Sequence, residues 1–294
     1  MLHARLPENG GWSPAVIQAE VNRPLRLRLT SDDVMHGFAI GQQSMPEVDV
    51  LPGQVTEVVL NFEKPGTYTF YCTRWCGPNH WRMRGTIEVR AGGSLPDPEP
   101  APPPLYVSLG LDLDAPHAIP FPPATRPSAA KGAPLAKTFH LSLSPEEYRA
   151  HSPYQIFEQL ASLPLSPAER WDVVAYLWQS NTSPQTLSEG ARLYARNCAA
   201  CHGESGAGDG VFAQAFTSPV SPSFSSEGMQ QVPTAFTDLS SMLGASPALL
   251  QGKILRGGMG TGMPAWGPLL TPEQTWALVD YLYTFPFEFQ GVPK

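Results

Sequence analysis

The sequence predicts a multidomain chain in which an all-β sandwich is followed by an all-α region. Three observations carry this. Residues 14–90 alternate apolar and polar residues with a period of two, between Pro-Gly turns. Residues beyond about 140 change to Ser/Thr-Pro-x-Glu starts followed by apolar residues at helical spacing. Between them lies a stretch in which twelve of 44 residues (93–136) are proline.

The β region opens the argument. Leu25, Leu27 and Leu29 alternate with Arg26, Arg28 and Thr30, the pattern of a strand with one face on a core. Val55–Leu60 and Gly66–Tyr71 continue it, Pro52-Gly53 and Pro65-Gly66 supply turns, and Thr86–Val89 closes the set. Several short strands within residues 1–92 predict a small sandwich or barrel. Residues 93–137 are expected to be a stiff, extended linker without a core, because proline fixes φ and removes a donor.

The helical region divides in two. Ser144-Pro145-Glu146-Glu147, Ser166-Pro167-Ala168-Glu169 and Thr271-Pro272-Glu273-Gln274 each fit a capping box with proline in the first turn. Thr186-Leu187-Ser188-Glu189 is expected to start the helix that runs into Cys198. Leu165–Leu177 and Leu270–Leu282 repeat each other at an offset of 105, with Trp171 matching Trp276 and Tyr176 matching Tyr281. Residues 138–181 therefore read as the remnant of a second copy of the domain at 182–294. That reading requires residues 166–178 to pack as one member of a helix pair. Two unrelated amphipathic helices with common caps are the plainer explanation.

Composition excludes some functions. The 294 residues have a formal net charge of −7 and only 15% charged residues, so no basic face for nucleic acid is expected. No run of 18 apolar residues exists that could span a membrane. Met1–Glu8 lacks the apolar core of a secretory signal. Cys198-Ala199-Ala200-Cys201-His202 is a Cys-x-x-Cys-His motif; haem is attached to such motifs outside the bacterial cytoplasm, so a periplasmic or extracytoplasmic location is expected, with a leader or anchor upstream or removed.

All four cysteines fall in two motifs. Cys198-Ala199-Ala200-Cys201-His202 has the spacing at which two thiols reach the vinyl groups of a haem and the histidine reaches its iron. A redox dithiol or half a zinc site is the alternative. Met263, in Gly262-Met263-Pro264, is the candidate sixth ligand, a soft donor in a Gly-rich loop; Met259 is the second choice and Met242 the third. The other motif is Cys72-x3-Cys76-x3-His80-x2-Met83, with a further imidazole at His36. Thiolate, thioether and imidazole together select copper, and two cysteines suit a bridged copper pair. Tetrahedral zinc on Cys72, Cys76, His80 and His36, or a Cys72–Cys76 disulfide, are the alternatives.

These residues carry two resemblances. Residues 186–286 resemble class I cytochrome c domains, through the helix into Cys198–His202, the Met263-Pro264 loop and a last helix with Trp276 and Tyr281. This implies one covalent haem c, His–Met iron and one-electron transfer. Residues 14–90 resemble the CuA cupredoxin domain shared by cytochrome c oxidase subunit II and nitrous oxide reductase. That resemblance implies binuclear copper on His36, Cys72, Cys76, His80 and Met83, with the Arg74 backbone carbonyl as a further ligand. Oxidase subunits usually place Glu at the Arg74 position, where it helps bind an interface metal, so arginine here departs from the pattern. The domain order is similar to the cytochrome-fused subunit II of caa3-type oxidases. It implies an electron-transfer chain without a substrate-reducing site, working with an electron-donor protein and a respiratory membrane complex. The competing expectation is a periplasmic shuttle to a terminal reductase such as nitrous oxide or nitric oxide reductase.

Overall fold

The structure is a computed structural model that describes residues 1–43, 45–77, 80–91, 102–213, 232–258 and 262–291. The chain divides into two compact units: Met1–Pro102 with Pro264–Thr271, and Pro103–Met263 with Pro272–Lys294.

The first unit is a β-sandwich. Its strands are β1 (Leu2–Ala4), β2 (Trp12–Ser13), β3 (Val16–Glu20), β4 (Leu25–Ser31), β5 (His36–Ile40), β6 (Val48–Val50), β7 (Thr56–Leu60), β8 (Gly66–Tyr71) and β9 (Arg84–Arg90). One sheet has the order β2-β1-β4-β7 and the other β3-β9-β8-β5-β6. Leu27 and Leu29 of β4 point into the core between them, as the alternation in the sequence requires, while Arg26 and Arg28 point outward. Strands β1 and β3 pair in parallel with later ones, β1 with β4 and β3 with β9. Strand β5 is buried along its whole length, and its first residue is His36. Strand β8 ends at Tyr71, so Cys72 leaves the sheet beside β5.

The second unit is helical. Its helices are α1 (Leu105–Ser108), α2 (Ala129–Thr138), α3 (Pro145–Ala150), α4 (Pro153–Gln159), α5 (Pro167–Ser180), α6 (Pro184–Asn197), α7 (Ala199–His202), α8 (Leu239–Gly244), α9 (Pro247–Arg256) and α10 (Pro272–Leu282). The capping boxes expected at Ser144 and Ser166 form, each side chain accepting from the N3 amide while the N3 glutamate returns the bond. The helix entering the haem motif differs from expectation at its start. It begins at Pro184, with Ser183 as N-cap and Thr186 as the reciprocating N3 residue. A hydroxyl three residues on does the work of the usual Glu.

The proline-rich stretch also differs. Helix α2 occupies its last part, and Leu113 and Ile119 within it are buried. Proline counts against regular structure on average, but Pro134 lies inside α2 and costs one bond, and packing against α5 offsets that loss.

Two helix crossings in this unit share one joint. A Cβ built on Gly132 of α2 would lie 1.9 Å from the Asp172 carbonyl oxygen of α5. A Cβ built on Gly190 of α6 would lie 2.1 Å from the Ala277 carbonyl oxygen of α10. No side chain fits at either crossing, so glycine lets the backbones touch. Asp172 and Ala277 are separated by 105 residues, the offset of the sequence repeat. Both crossings drive large aromatic residues inward, and Trp178 and Tyr283 are almost fully buried. Tyr148 of α3 donates to Asp280 of α10 at 2.8 Å in the same interior. Burial raises the Asp280 carboxyl to about 6, against the opposing pull of that hydrogen bond.

Candidate metal and haem centres

The sandwich gathers one set of donors at the end of β5 and β8. Side-chain ligand atoms of His36, Cys72 and Cys76 all lie within 4.8 Å of one another. Cys72 Sγ stands 3.9 Å from Cys76 Sγ, 3.9 Å from His36 Nδ1 and 3.1 Å from the Arg74 carbonyl oxygen. The two cysteines are free thiols, so the disulfide alternative is not realised here. His80 begins a short 3-10 turn to Arg82, and Met83 follows it, buried at 1% exposure. The His80 amide donates to the Gly77 carbonyl and the Met83 amide to the His80 carbonyl, which curls the loop back toward Cys72. The structure thus brings His36, Cys72, Cys76 and the Arg74 carbonyl together, with His80 and Met83 on the same loop.

Electrostatics at this cluster favour a cation. Cys72 is held far below the ordinary thiol range, first by its hydrogen bond with Cys76 and then by His36 and His80, against the penalty of burial. Cys76 is pushed upward by the same partnership, so the pair shares one proton that a metal would displace. His36 is fully buried and its Nε2 lies 2.7 Å from Asp33 Oδ1. Burial would lower the imidazole, but the bonds to Cys72 and Asp33 outweigh it and the net shift is upward. Asp33 also accepts the amides of Leu6 and Val34, each at 2.7 Å, so it is itself fixed. With Nε2 donating to Asp33, Nδ1 is the atom left facing the sulfurs. His80 Nδ1 is buried with no hydrogen-bond partner among the described residues. A buried orphan nitrogen is costly unless something binds it, and this donor set of two sulfurs and two imidazoles fits copper.

Sequence reasoning missed Asp33 and Trp12. An Asp three residues before His36 could have been read as its partner. Trp12, whose indole N–H reaches the Met83 carbonyl at 3.2 Å, carries no local signal. Arg74 pairs with Asp49 at 2.7 Å, so its side chain points away from the sulfurs while its carbonyl faces them.

The second set of donors lies where α6 ends. The amides of Cys201 and His202 bond back to the Cys198 carbonyl at 3.0 and 2.9 Å, which makes one tight turn of Cys198–His202. His202 Nδ1 lies 2.9 Å from the Thr234 carbonyl, leaving Nε2 as the iron-facing atom. Its ring stacks on Phe236 at 4.6 Å, and Phe236 belongs to an aromatic cluster with Tyr194, Tyr281 and Phe285. Burial lowers the basicity of His202, keeping it neutral as a ligand must be. Burial also raises Cys198, to about 12, and raises Cys201. A disulfide-exchanging pair needs the opposite shift, so the environment suits covalent attachment better than redox-dithiol chemistry. The residues fit a haem. Met263 is half-buried, and its carbonyl accepts from the Gly258 amide at 3.1 Å, closing the loop it sits in. Met242 is buried in α8 at 1% exposure, and Met259 lies outside the described residues.

Comparison with known proteins finds two families on this chain. The family described as cytochrome C oxidase subunit II, periplasmic domain, matches residues 14–90, and the family described as cytochrome C oxidase, cbb3-type, subunit III, matches residues 185–282. Cytochrome c oxidase subunit 2 of Thermus thermophilus is 38% identical over 80 residues, which is 27% of this chain and 58% of that protein. The Synechocystis subunit 2 is 36% identical over 81 residues, covering 28% of this chain and 24% of its own length. The chain thus spans less than two thirds of these curated relatives. Among solved structures, the periplasmic domain of subunit II of cytochrome oxidase from Bradyrhizobium japonicum is 29% identical over 26% of this chain and 54% of that chain, with a TM-score of 0.24. This chain therefore joins a cupredoxin domain of the oxidase subunit II type to a cytochrome c domain, an all-β and an all-α domain in series.

Proposed function

We propose that this chain relays electrons between one covalently bound haem c and a binuclear copper centre, as the subunit II-like component of a haem-copper oxidase or related respiratory complex. The observation that carries the proposal is the convergence of His36, Cys72 and Cys76 within 4.8 Å on a subunit II-type sandwich, in a chain that also holds Cys198–His202.

The copper ligands in this reading are His36, Cys72, Cys76, His80, Met83 and the Arg74 carbonyl. The haem is held by Cys198 and Cys201, with His202 and Met263 on the iron. When bound, the two groups would supply one-electron carriers. The chain's own part is to hold these donors rigidly and exclude water. Asp33 fixes the His36 tautomer, Thr234 fixes that of His202, and burial keeps Met83 dry. The partners are an electron-donor protein and a membrane complex. Its placement on the periplasmic or extracytoplasmic side follows the subunit II periplasmic domain it matches.

The segment 138–181, with α2, is in this reading a haem-less cytochrome remnant. The shared glycine joint and the common offset of 105 support it. Helix α2 leads into Phe139-His140-Leu141 where α6 leads into Cys198, so no thiol is available for attachment.

The deciding experiment is electron paramagnetic resonance with optical spectroscopy on protein matured with haem and loaded with copper. A hyperfine pattern from one electron shared by two coppers, beside one low-spin haem c per chain, is expected. A single-copper pattern, or zinc retained with no copper uptake, would remove the relay.

A further inference from the structure

Two donors, one backbone amide and one side chain, meet at one backbone oxygen in the sandwich. The Met83 carbonyl accepts the Cys72 amide at 3.1 Å and the Trp12 indole N–H at 3.2 Å. Two of the proposed copper ligands are thus tied together through their backbones, and a residue 71 positions away in sequence completes the tie. Trp12 sits in β2, at the edge of the sheet opposite the one that carries the ligands, yet only 2% of its surface is exposed.

The indole ring makes the other contacts. It meets Phe38 and Phe70 edge-on, each with centroids 5.7 Å away, and those two rings lie 5.8 Å from one another. Phe38 is two residues past His36 on β5, on the same side of the strand. Phe70 is two residues before Cys72 at the end of β8. Both phenylalanines are fully buried. One side chain therefore bears on the strand of His36 and the strand of Cys72 with its ring, and on Met83 with its N–H.

From this we infer that Trp12 is a positioning residue of the copper centre, the brace that sets Met83 against Cys72 and His36 and seals the apolar side of the site. The inference rests on the copper reading above. A buried donor to an already bonded carbonyl fixes that carbonyl's direction, and with it the course of the Met83 backbone. A small change in the thioether's approach alters how the unpaired electron is shared, which a spectrum reads directly.

The test uses the full chain, matured with haem and loaded with copper. Trp12→Phe keeps a ring beside Phe38 and Phe70 and removes the N–H. The variant is expected to bind copper with altered hyperfine splitting and visible bands, and to lose copper to a chelator about tenfold faster, the scale of one net hydrogen bond at its upper end. The haem spectrum, being in the other unit, serves as an internal control and should not move. If the variant melts lower but keeps the native copper spectrum and loss rate, Trp12 is only a core residue and the inference is overturned. Indole-labelled nitrogen NMR on the unsubstituted, copper-loaded protein covers a variant that does not fold. A slowly exchanging, paramagnetically shifted Trp12 N–H supports the brace, and one that exchanges freely with water defeats it. Absence of a shared-copper spectrum in the unsubstituted protein would remove the copper reading itself and this inference with it, whereas an unchanged Trp12→Phe spectrum removes the inference alone.

Discussion

The two glycine crossings of the helical unit have the same joint and different outcomes. At the first, Gly132 of α2 meets the carbonyl of Asp172; at the second, Gly190 of α6 meets that of Ala277. The first helix of each pair ends differently. Helix α6 runs into Cys198 and the tight turn to His202, whereas α2 runs into Phe139 and then the Ser144 capping box that starts α3. The packing of two helices at a glycine is thus independent of whether a Cys-x-x-Cys-His turn follows. It is a mechanical joint, and the chemistry is added by the few residues after it.

Enlarging the glycines tests that independence most severely. Gly132→Val and Gly190→Val each force side-chain atoms against a backbone carbonyl that cannot step aside, so each should cost about 3 kcal/mol or more. Gly190→Val is expected to abolish haem incorporation, counted by pyridine haemochrome, because α6 leads directly into the attachment turn. Gly132→Val should lower the melting temperature yet retain one haem per chain. Loss of haem in both variants would mean that the crossings are coupled.

A smaller difference lies in the carboxyl that only the second crossing buries against a tyrosine. Burial raises Asp280 to about 6 while its unfolded value is the ordinary one near 3.8. Between about pH 4 and 6 the folded chain keeps a proton that the unfolded chain has released. Stability from this group is therefore full below pH 4, declines as pH rises through about 6, and is level above that. The change is bounded by about 3 kcal/mol for a shift of this size. Asp280→Asn, which can still accept from Tyr148, should remove this component. Thermal melts of the two proteins from pH 4 to 7 measure it, and parallel curves would contradict it.

The smallest expected effect compares caps. Ser166 and Ser183 start the second helix of the first pair and the first helix of the second, one answered by Glu169 and one by Thr186. Alanine at either should cost about 1 kcal/mol. The larger loss is expected at Ser166, where a carboxylate near the helix N-terminus adds to the hydrogen bonds.

What could be read in advance follows the range of the signal. Cys72 and Cys76 lie four residues apart and Cys198–His202 form one five-residue motif, so both are legible locally, whereas His36, which the structure sets beside the two thiols, is distant in sequence. The strands of the sandwich were visible because Leu25, Leu27 and Leu29 alternate over a half-buried sheet. Trp12 was invisible, since one aromatic in a two-residue strand has no period and its partner is 71 residues away. Helix α2 was hidden by its own Gly132 and Pro134, residues that read as breakers and here serve a close crossing. The Ser183 cap carries no Ser-x-x-Glu signature, because its N3 partner is Thr186 rather than an acid.

The parallel pairing of β3 with β9 has a mechanical consequence. Val16 through Glu20 lie in register with Thr86 through Arg90, and both strands run the same way. Tension applied between the N-terminal side of β3 and the C-terminal side of β9 would load these rungs in shear, all at once, rather than peeling them apart one by one. The clasp that closes this sheet would therefore yield at a high force and in a single event, and a pull along the chain would reach the Cys72–Met83 loop only after that clasp had failed.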